Sequence, residues 1–575
     1  MESADEHCAP KSKILILIAL VQGLMLLLLH DSIELQFWPY QQPQWLFALY
    51  SVAIAAPLML LLGLTDNWRV MGRWVAAYAV VLFGLGYYVG GQAMPIEHIG
   101  LEALLFPLVA TLCVATFKAL MYTQHFSGNK PLSYSRLFLL SWRNFLTLGL
   151  SLLFMLCAWG VLMLWAGLFK AIKVHFFYDL FTQRWFYYPV LALAHGFGVI
   201  IFRAQSGVID TITRIQQALM KFLLVMLAFV SVMFLFALPF TGLDPLWETG
   251  GSNLILWMQA LILFFINAVH QDEPDAQPYQ RWVHRFVYSA VALLPIYSLI
   301  SFYGLSLRID QYGWSVARCW AFLLWSVFAG FSFSYLWGIV RLKDRWLEQL
   351  SSVNIRMGVV VLCLMLLVNS PVLDFRKITV NSQLSRLDNA ETSLNDFDYR
   401  YFRRQLAGPG YLALQELKRE VRDDHPEIAL RIESFYVDIH DLDSAIDRAD
   451  FVASIVGVDS NTPQALVDTL YEDLSNNHWR MQENQTYRLV AVDLNTDGFT
   501  EYVLVEVRSS HINFTLYHQV SGNWENRSLN PVGQQKFNSR QQRDALLKAL
   551  ERTNYEAIDS PWKNLKVGGQ TFQVN

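Results

Sequence analysis

Along the first two thirds of the chain, hydrophobic residues come in long runs. In the last third they alternate with polar residues over short stretches. A helix needs about 20 mainly apolar residues to cross a bilayer core, because only a helix or closed barrel satisfies its own backbone there. About eleven runs meet or approach that length. They are Ile14–His30, Trp45–Leu64, Trp74–Ala93, Ile99–Tyr122, Asn144–Phe169, Tyr187–Phe202, Met220–Pro239, Leu254–His270, Phe286–Leu305, Val316–Val340 and Met357–Asn369. The first follows Lys11 and Lys13 with no small-residue cleavage site behind it, so it reads as an uncleaved span. Gln205–Gln217 spaces Val208, Ile209, Ile212 and Ile215 among polar residues, the pattern of a helix lying along a membrane surface.

From Pro371 onward the pattern is that of a soluble domain. Asn395–Leu406 and Tyr411–Arg422 read as helices separated by Gly408-Pro409-Gly410. Thr462-Pro463 starts another helix, and Arg540–Arg552 is helical in period. Tyr487–Asp493, Glu501–Arg508 and Asn513–Val520 alternate as strands, with Phe572–Val574 closing the sheet. The expected fold is therefore an α-helical polytopic membrane bundle with a C-terminal α+β soluble domain. Residues 1–13 form an N-terminal tail, 14–370 the bundle and 371–575 the soluble domain.

Charge sharpens this division. Of 575 residues, 54% are hydrophobic and only 16% charged. Residues 374–575 hold 22 Lys/Arg against 30 Asp/Glu, while the first 373 hold 22 against 18. The balance excludes a single soluble globule and a basic-patch nucleic-acid binder. With the N-terminus cytoplasmic, 17 basic residues of the bundle fall on inner segments and five on outer ones. The positive-inside bias then predicts a bacterial-type inner-membrane topology with the C-terminal domain periplasmic.

Five segments carry a resemblance. They are Leu168-Phe169-Lys170-Ala171-Ile172 with His175-Phe176-Phe177-Tyr178-Asp179-Leu180-Phe181; Leu238–Gly250; Leu307-Arg308-Ile309-Asp310-Gln311-Tyr312-Gly313; Asn369-Ser370-Pro371-Val372-Leu373-Asp374; and Asp396-Phe397-Asp398-Tyr399-Arg400-Tyr401. In this order they resemble the bacterial multi-pass membrane family called domain of unknown function 4153. The resemblance implies architecture and an inner-membrane location, and it implies no catalytic residues. Lys173 departs from the pattern, standing where glycine is expected.

Two sets of residues could carry chemistry. Asp493-Leu494-Asn495-Thr496-Asp497-Gly498-Phe499-Thr500-Glu501 places oxygen donors at alternate positions before a glycine, as the start of an EF-hand loop does. Asp493, Asn495, Asp497, the Phe499 carbonyl and Glu501 would hold calcium. The twelfth position is Leu504, so the bidentate glutamate is missing, and a plain hairpin turn is the competing reading. Inside the spans, His195, Glu102, Gln259, Asn267 and His270 are polar where polarity is costly. They would bind a substrate or relay protons in a transporter; otherwise they bond to one another or reach the membrane surface.

Three functions fit. The first is a non-enzymatic envelope protein presenting a periplasmic domain to a ligand, an envelope protein or a polymer, with the lipid bilayer as its other partner. The second is a secondary transporter using the intramembrane polar groups. The third is a lipid-linked sugar transferase with Asp31 and Glu34 as its acid pair. No Gly-rich phosphate loop, Gly-x-Ser-x-Gly or His-Glu-x-x-His pattern occurs, which favours the first.

Overall fold

The computed structural model describes residues 12–64, 67–96, 98–128, 132–242, 252–269, 279–436, 452, 455–458, 462–475, 486–495, 498–507, 512–520, 522–529, 565–567 and 570–572. The chain divides into two compact units, Met1–Phe435 and Tyr436–Asn575.

The first unit is helical. Its helices are α1 (Ser12–Glu34), α2 (Pro43–Gly63), α3 (Trp68–Gly91), α4 (Glu102–Ser127), α5 (Tyr134–Ala171), α6 (Phe176–Phe181), α7 (Arg184–Ala204) and α8 (Ser206–Thr241). There follow α9 (Ser252–Val269), α10 (Arg281–Ala292), α11 (Leu294–Tyr312), α12 (Val316–Leu342) and α13 (Leu347–Leu367). Among the described residues, ten helical segments are long and apolar enough to cross a membrane, α10 and α11 together making one of them. The remaining apolar run is the shorter helix α9. Leu28, Phe106, Leu156, Phe236 and Trp257 are all more than half exposed, an apolar exterior that calls for lipid rather than water.

Close helix contacts are made through small residues, since dispersion and backbone approach replace the hydrophobic effect in lipid. Gly86 and Gly90 on α3 form a Gly-x-x-x-Gly pair facing α2. A Cβ at Gly90 would lie 2.5 Å from the Pro43 carbonyl oxygen, and one at Gly86 2.8 Å from the Phe47 carbonyl oxygen. The buried side chains gather into one cluster of α1–α4 with α7, another of α2–α4, and a third of α8–α13 with the start of α5.

Three helices differ from the sequence pattern. Gln205–Gln217 does not form a separate surface helix. It is the first part of α8, because nothing between Gly207 in the opening turn and Pro239 interrupts the backbone ladder. The run Asn144–Phe169 is extended to 38 residues, starting where the Ser133 hydroxyl accepts the Arg136 N–H at 3.3 Å. The run Phe286–Leu305 is broken at Leu293, two residues before Pro295, which has no N–H to return to the Val291 carbonyl.

The bundle does not end the first unit. Helices α14 (Phe375–Asp388), α15 (Tyr399–Gln405), α16 (Ala407–Val421) and α17 (Pro426–Ser434) belong to it, so the compact boundary falls after Phe435 rather than at the polarity change near Pro371. Gly408-Pro409-Gly410 lies in the first turn of α16 and does not separate two helices. The break is at Leu406–Ala407, where Ala407 has φ +47°.

The second unit holds a five-stranded sheet in the order β1 (Ile455–Val456), β2 (Thr486–Val492), β3 (Glu501–Val507), β4 (Ile512–Val520) and β5 (Asn523–Leu529). β1 is parallel to β2 and the others form an antiparallel meander. Helix α18 (Gln464–Ser475) packs Leu466, Leu470 and Leu474 with Tyr487, Leu489, Leu504 and Tyr517. The alternate residues Val490, Val503 and Val505 are buried with Ile512 in a second cluster, as the two-residue period requires. Phe572 does not close this sheet. It pairs with Leu565 in a separate hairpin of β6 (Leu565–Val567) and β7 (Gln570–Phe572). Arg540–Arg552 and Val574 lie outside the described residues.

The glycine contacts give a paired test. Gly90→Ala forces backbone against backbone and lowers the unfolding temperature of the purified protein. Gly91→Ala, whose Cβ meets nothing within 4 Å, leaves that temperature unchanged or raised.

Candidate functional site

The structure separates the intramembrane polar residues. Glu102 is exposed in the first turn of α4, where a carboxylate complements the helix dipole. His195 is buried on α7, and its Nε2 has no hydrogen-bond partner among the described residues. Its neighbours Gly196 and Gly198 bring α7 against α1 and α5: Cβ atoms there would lie 2.6 Å from the Ala19 Cβ and 3.0 Å from the Ser151 Cα. His270 lies outside the described residues.

Gln259 and Asn267 stand on α9, two turns apart, and each is the centre of a buried polar cluster. Asn267 Oδ1 accepts from Asn354 Nδ2 and lies within hydrogen-bond reach of the hydroxyls of Tyr335 at 3.2 Å and Tyr134 at 3.3 Å. The Tyr335 hydroxyl also donates to Asn354 Oδ1. Gln259 Nε2 donates to Ser298 Oγ at 2.6 Å and to Ser332 Oγ at 2.8 Å. Beside them the Tyr297 hydroxyl donates to the Ser231 carbonyl at 2.6 Å. Helices α5, α8, α9, α11, α12 and α13 thus share a polar seam inside an apolar core. Such groups bond to one another because no water competes for them.

The most connected charged site was not singled out by sequence reasoning. The Asp374 carboxylate caps α14 by accepting the Arg376 N–H at 3.0 Å, and it accepts from the Tyr88 hydroxyl at 2.7 Å and Gln92 Nε2 at 2.5 Å. The Arg376 guanidinium donates to Gln92 Oε1 at 2.6 Å and lies 3.8 Å from Asp374. The Gln92 carbonyl accepts the Gly408 N–H at 2.8 Å, a contact that a Cβ at Gly408 would obstruct. Burial lowers the Arg376 pKa from the usual arginine range, while Asp374 and Tyr88 act to raise it. One carboxylate therefore ties the end of α3 to α14 and, through Gln92, to α16. Asp374 had a signal, standing as an N-cap aspartate in a recognised segment. Gln92 had none, since its partners are more than 280 residues away in sequence.

Three of the recognised segments do similar work at this end of the bundle. Asn369 Nδ2 donates to Thr111 Oγ1 at 2.7 Å. Arg386 of α14 donates to the Gln311 carbonyl at 2.9 Å, and Gln383 to those of Tyr312 and Trp314 at 2.9 and 2.8 Å. Gly313 between them has φ +69°, and a Cβ there would strike Arg386. Asp398 caps α15, and the Tyr401 hydroxyl accepts the Val316 N–H at 2.9 Å. Lys173 has φ +66° in an exposed turn closing α5. The glycine expected at this position therefore answers a left-handed backbone rather than a tight contact. Asp31 and Glu34, the acid pair of the transferase reading, lie 3.5 and 3.6 Å from Arg184 of α7.

In the second unit, the Asp493–Glu501 segment connects β2 to β3. Asp493 Oδ2 accepts the Gly498 N–H at 3.1 Å, and the buried Glu501 accepts the Leu494 N–H at 2.7 Å. These are bonds that a hairpin loop makes to itself. Asn495 and the exposed Phe499 lie in the same loop, and Asp497 lies outside the described residues. Among the described residues, no three His, Cys, Asp or Glu side chains converge as metal ligands.

Together these features define a polytopic helical bundle of membrane type, bound at one end by a layer of post-span helices and followed by an α+β unit. The chain belongs to the family described as domain of unknown function (DUF4153), which matches residues 15–417. No curated protein and no solved structure matches it.

Removing Asp374 strands Arg376, Tyr88 and Gln92 in a buried site. Asp374→Ala is expected to cost about 3–5 kcal/mol, read as a large fall in the unfolding temperature in detergent. Asp396→Ala, at an exposed position in the same unit, changes stability by less than about 0.5 kcal/mol.

Proposed function

We propose that this protein is a non-enzymatic component of a bacterial inner membrane. Its bundle and post-span helices form a platform that presents the C-terminal unit in the periplasm to an envelope protein or polymer. The supporting observation is the use made of the recognised segments. Asp374, Gly313 and Tyr401 of those segments, with Gly408 beyond them, take part in fastening the post-span helices to the bundle end. These residues build a rigid base rather than an open catalytic cleft.

The charge distribution supports the same reading. The basic bias predicts a cytoplasmic N-terminus, and the ten long helical segments with α9 as an eleventh span carry the acidic C-terminal part across. The excess of Asp and Glu there favours a partner bearing cationic groups.

The test is a pair of reporters fused after Asn575. The reading predicts active alkaline phosphatase and dark green fluorescent protein. A bright fluorescent fusion with inactive phosphatase would place the unit in the cytosol and contradict the platform reading.

A further inference from the structure

The break between α10 and α11 lies inside a segment long and apolar enough to span a membrane, and polar groups without partners lie on the first two turns of α11 and on α9 facing them. Ser298, on α11 one turn past the break, is within 2.6 Å of the Gln259 amide. Ser301 follows on the same buried face of α11. Gln259 is fully buried and its Oε1 has no partner among the described residues; the same holds for the hydroxyl of Ser301, at 3% exposure.

The orientation of the Gln259 amide follows from its neighbours. Ser332 donates its own hydroxyl proton to the Phe328 carbonyl at 2.7 Å, so toward Gln259 it can only accept. The amide NH2 therefore faces Ser332 and Ser298, and the carbonyl oxygen is the atom left over. A stranded buried acceptor costs about 1–3 kcal/mol, and no solvent compensates it within hydrocarbon.

We propose that the Gln259–Ser298–Ser301–Ser332 set beside this break binds a small monovalent cation. The oxygens left unengaged, Gln259 Oε1 and Ser301 Oγ, are neutral, which suits a single charge; a calcium or magnesium site would draw on carboxylates. An anion would need N–H donors, and both of those on Gln259 are already engaged. The groups are buried among the helices. This site is independent of the platform reading, and it is a feature that a transporter would use.

The experiment compares the full-length protein in lipid nanodiscs in sodium, potassium or choline chloride at equal ionic strength. Sodium is expected to raise the unfolding temperature saturably, and choline to have no such effect. Ser301→Ala is expected to raise the half-saturating sodium concentration about tenfold, and Gln259→Leu to abolish the response. Equal unfolding temperatures in sodium and choline would overturn the proposal. So would a Ser301→Ala protein with the wild-type sodium response, which decides the matter even if Gln259→Leu fails to fold.

Discussion

The bilayer does not hydrogen-bond to the backbone, and that constraint shapes this chain more than any other. Every interruption of a spanning helix has to be made good from within the protein. Pro57 in α2 cannot return an N–H to the Ala53 carbonyl, and the Gln22 side chain from α1 lies 3.4 Å from that oxygen. Arg203 donates to the Leu61 and Leu64 carbonyls at 2.7 and 2.6 Å where α2 ends. At the interruption before Pro295 the Leu293 N–H turns back to the Ala290 carbonyl at 3.2 Å. Polar residues within the apolar runs are therefore informative: Gln22 and Arg203 reach carbonyls of a neighbouring helix, and Gln259 and Asn267 face other polar groups.

The same economy governs the end of the bundle where the chain leaves its last span. Asn369, Asp374, Gln383 and Arg386 are polar, yet their side chains bond to carbonyls, hydroxyls and amides of the bundle. A carboxylate buried beside a guanidinium is stable only when its remaining lone pairs are used, and Asp374 uses them on Tyr88, Gln92 and the α14 backbone. The post-span helices are consequently part of the bundle's compact unit, although their sequence is polar enough to suggest a separate domain.

What the sequence made legible follows from the range of the interactions involved. Spans depend on local runs of apolar residues, and the expected runs correspond to the helices of the bundle. The strands β2, β3 and β4 were visible in their alternation; β5, Asn-Trp-Glu-Asn-Arg-Ser-Leu, was not, because an edge strand with so few apolar residues has little alternation to show. Gln259 and Asn267 announced themselves by being polar within a span, but their serine, tyrosine and asparagine partners come from four other helices. The Asp374–Gln92–Arg376–Gly408 connections were invisible for the same reason, and so was the boundary at Phe435 that follows from them.

The central claim is that residues 375–421 are held by the bundle rather than by the C-terminal unit. Hydrogen–deuterium exchange on the full-length protein in lipid nanodiscs tests it directly. The account predicts that the amides of α14 and α16 exchange as slowly as those of α12, and that Asp374→Ala accelerates them selectively. Fast exchange of both helices in the wild-type protein, or protection untouched by that substitution, would contradict it.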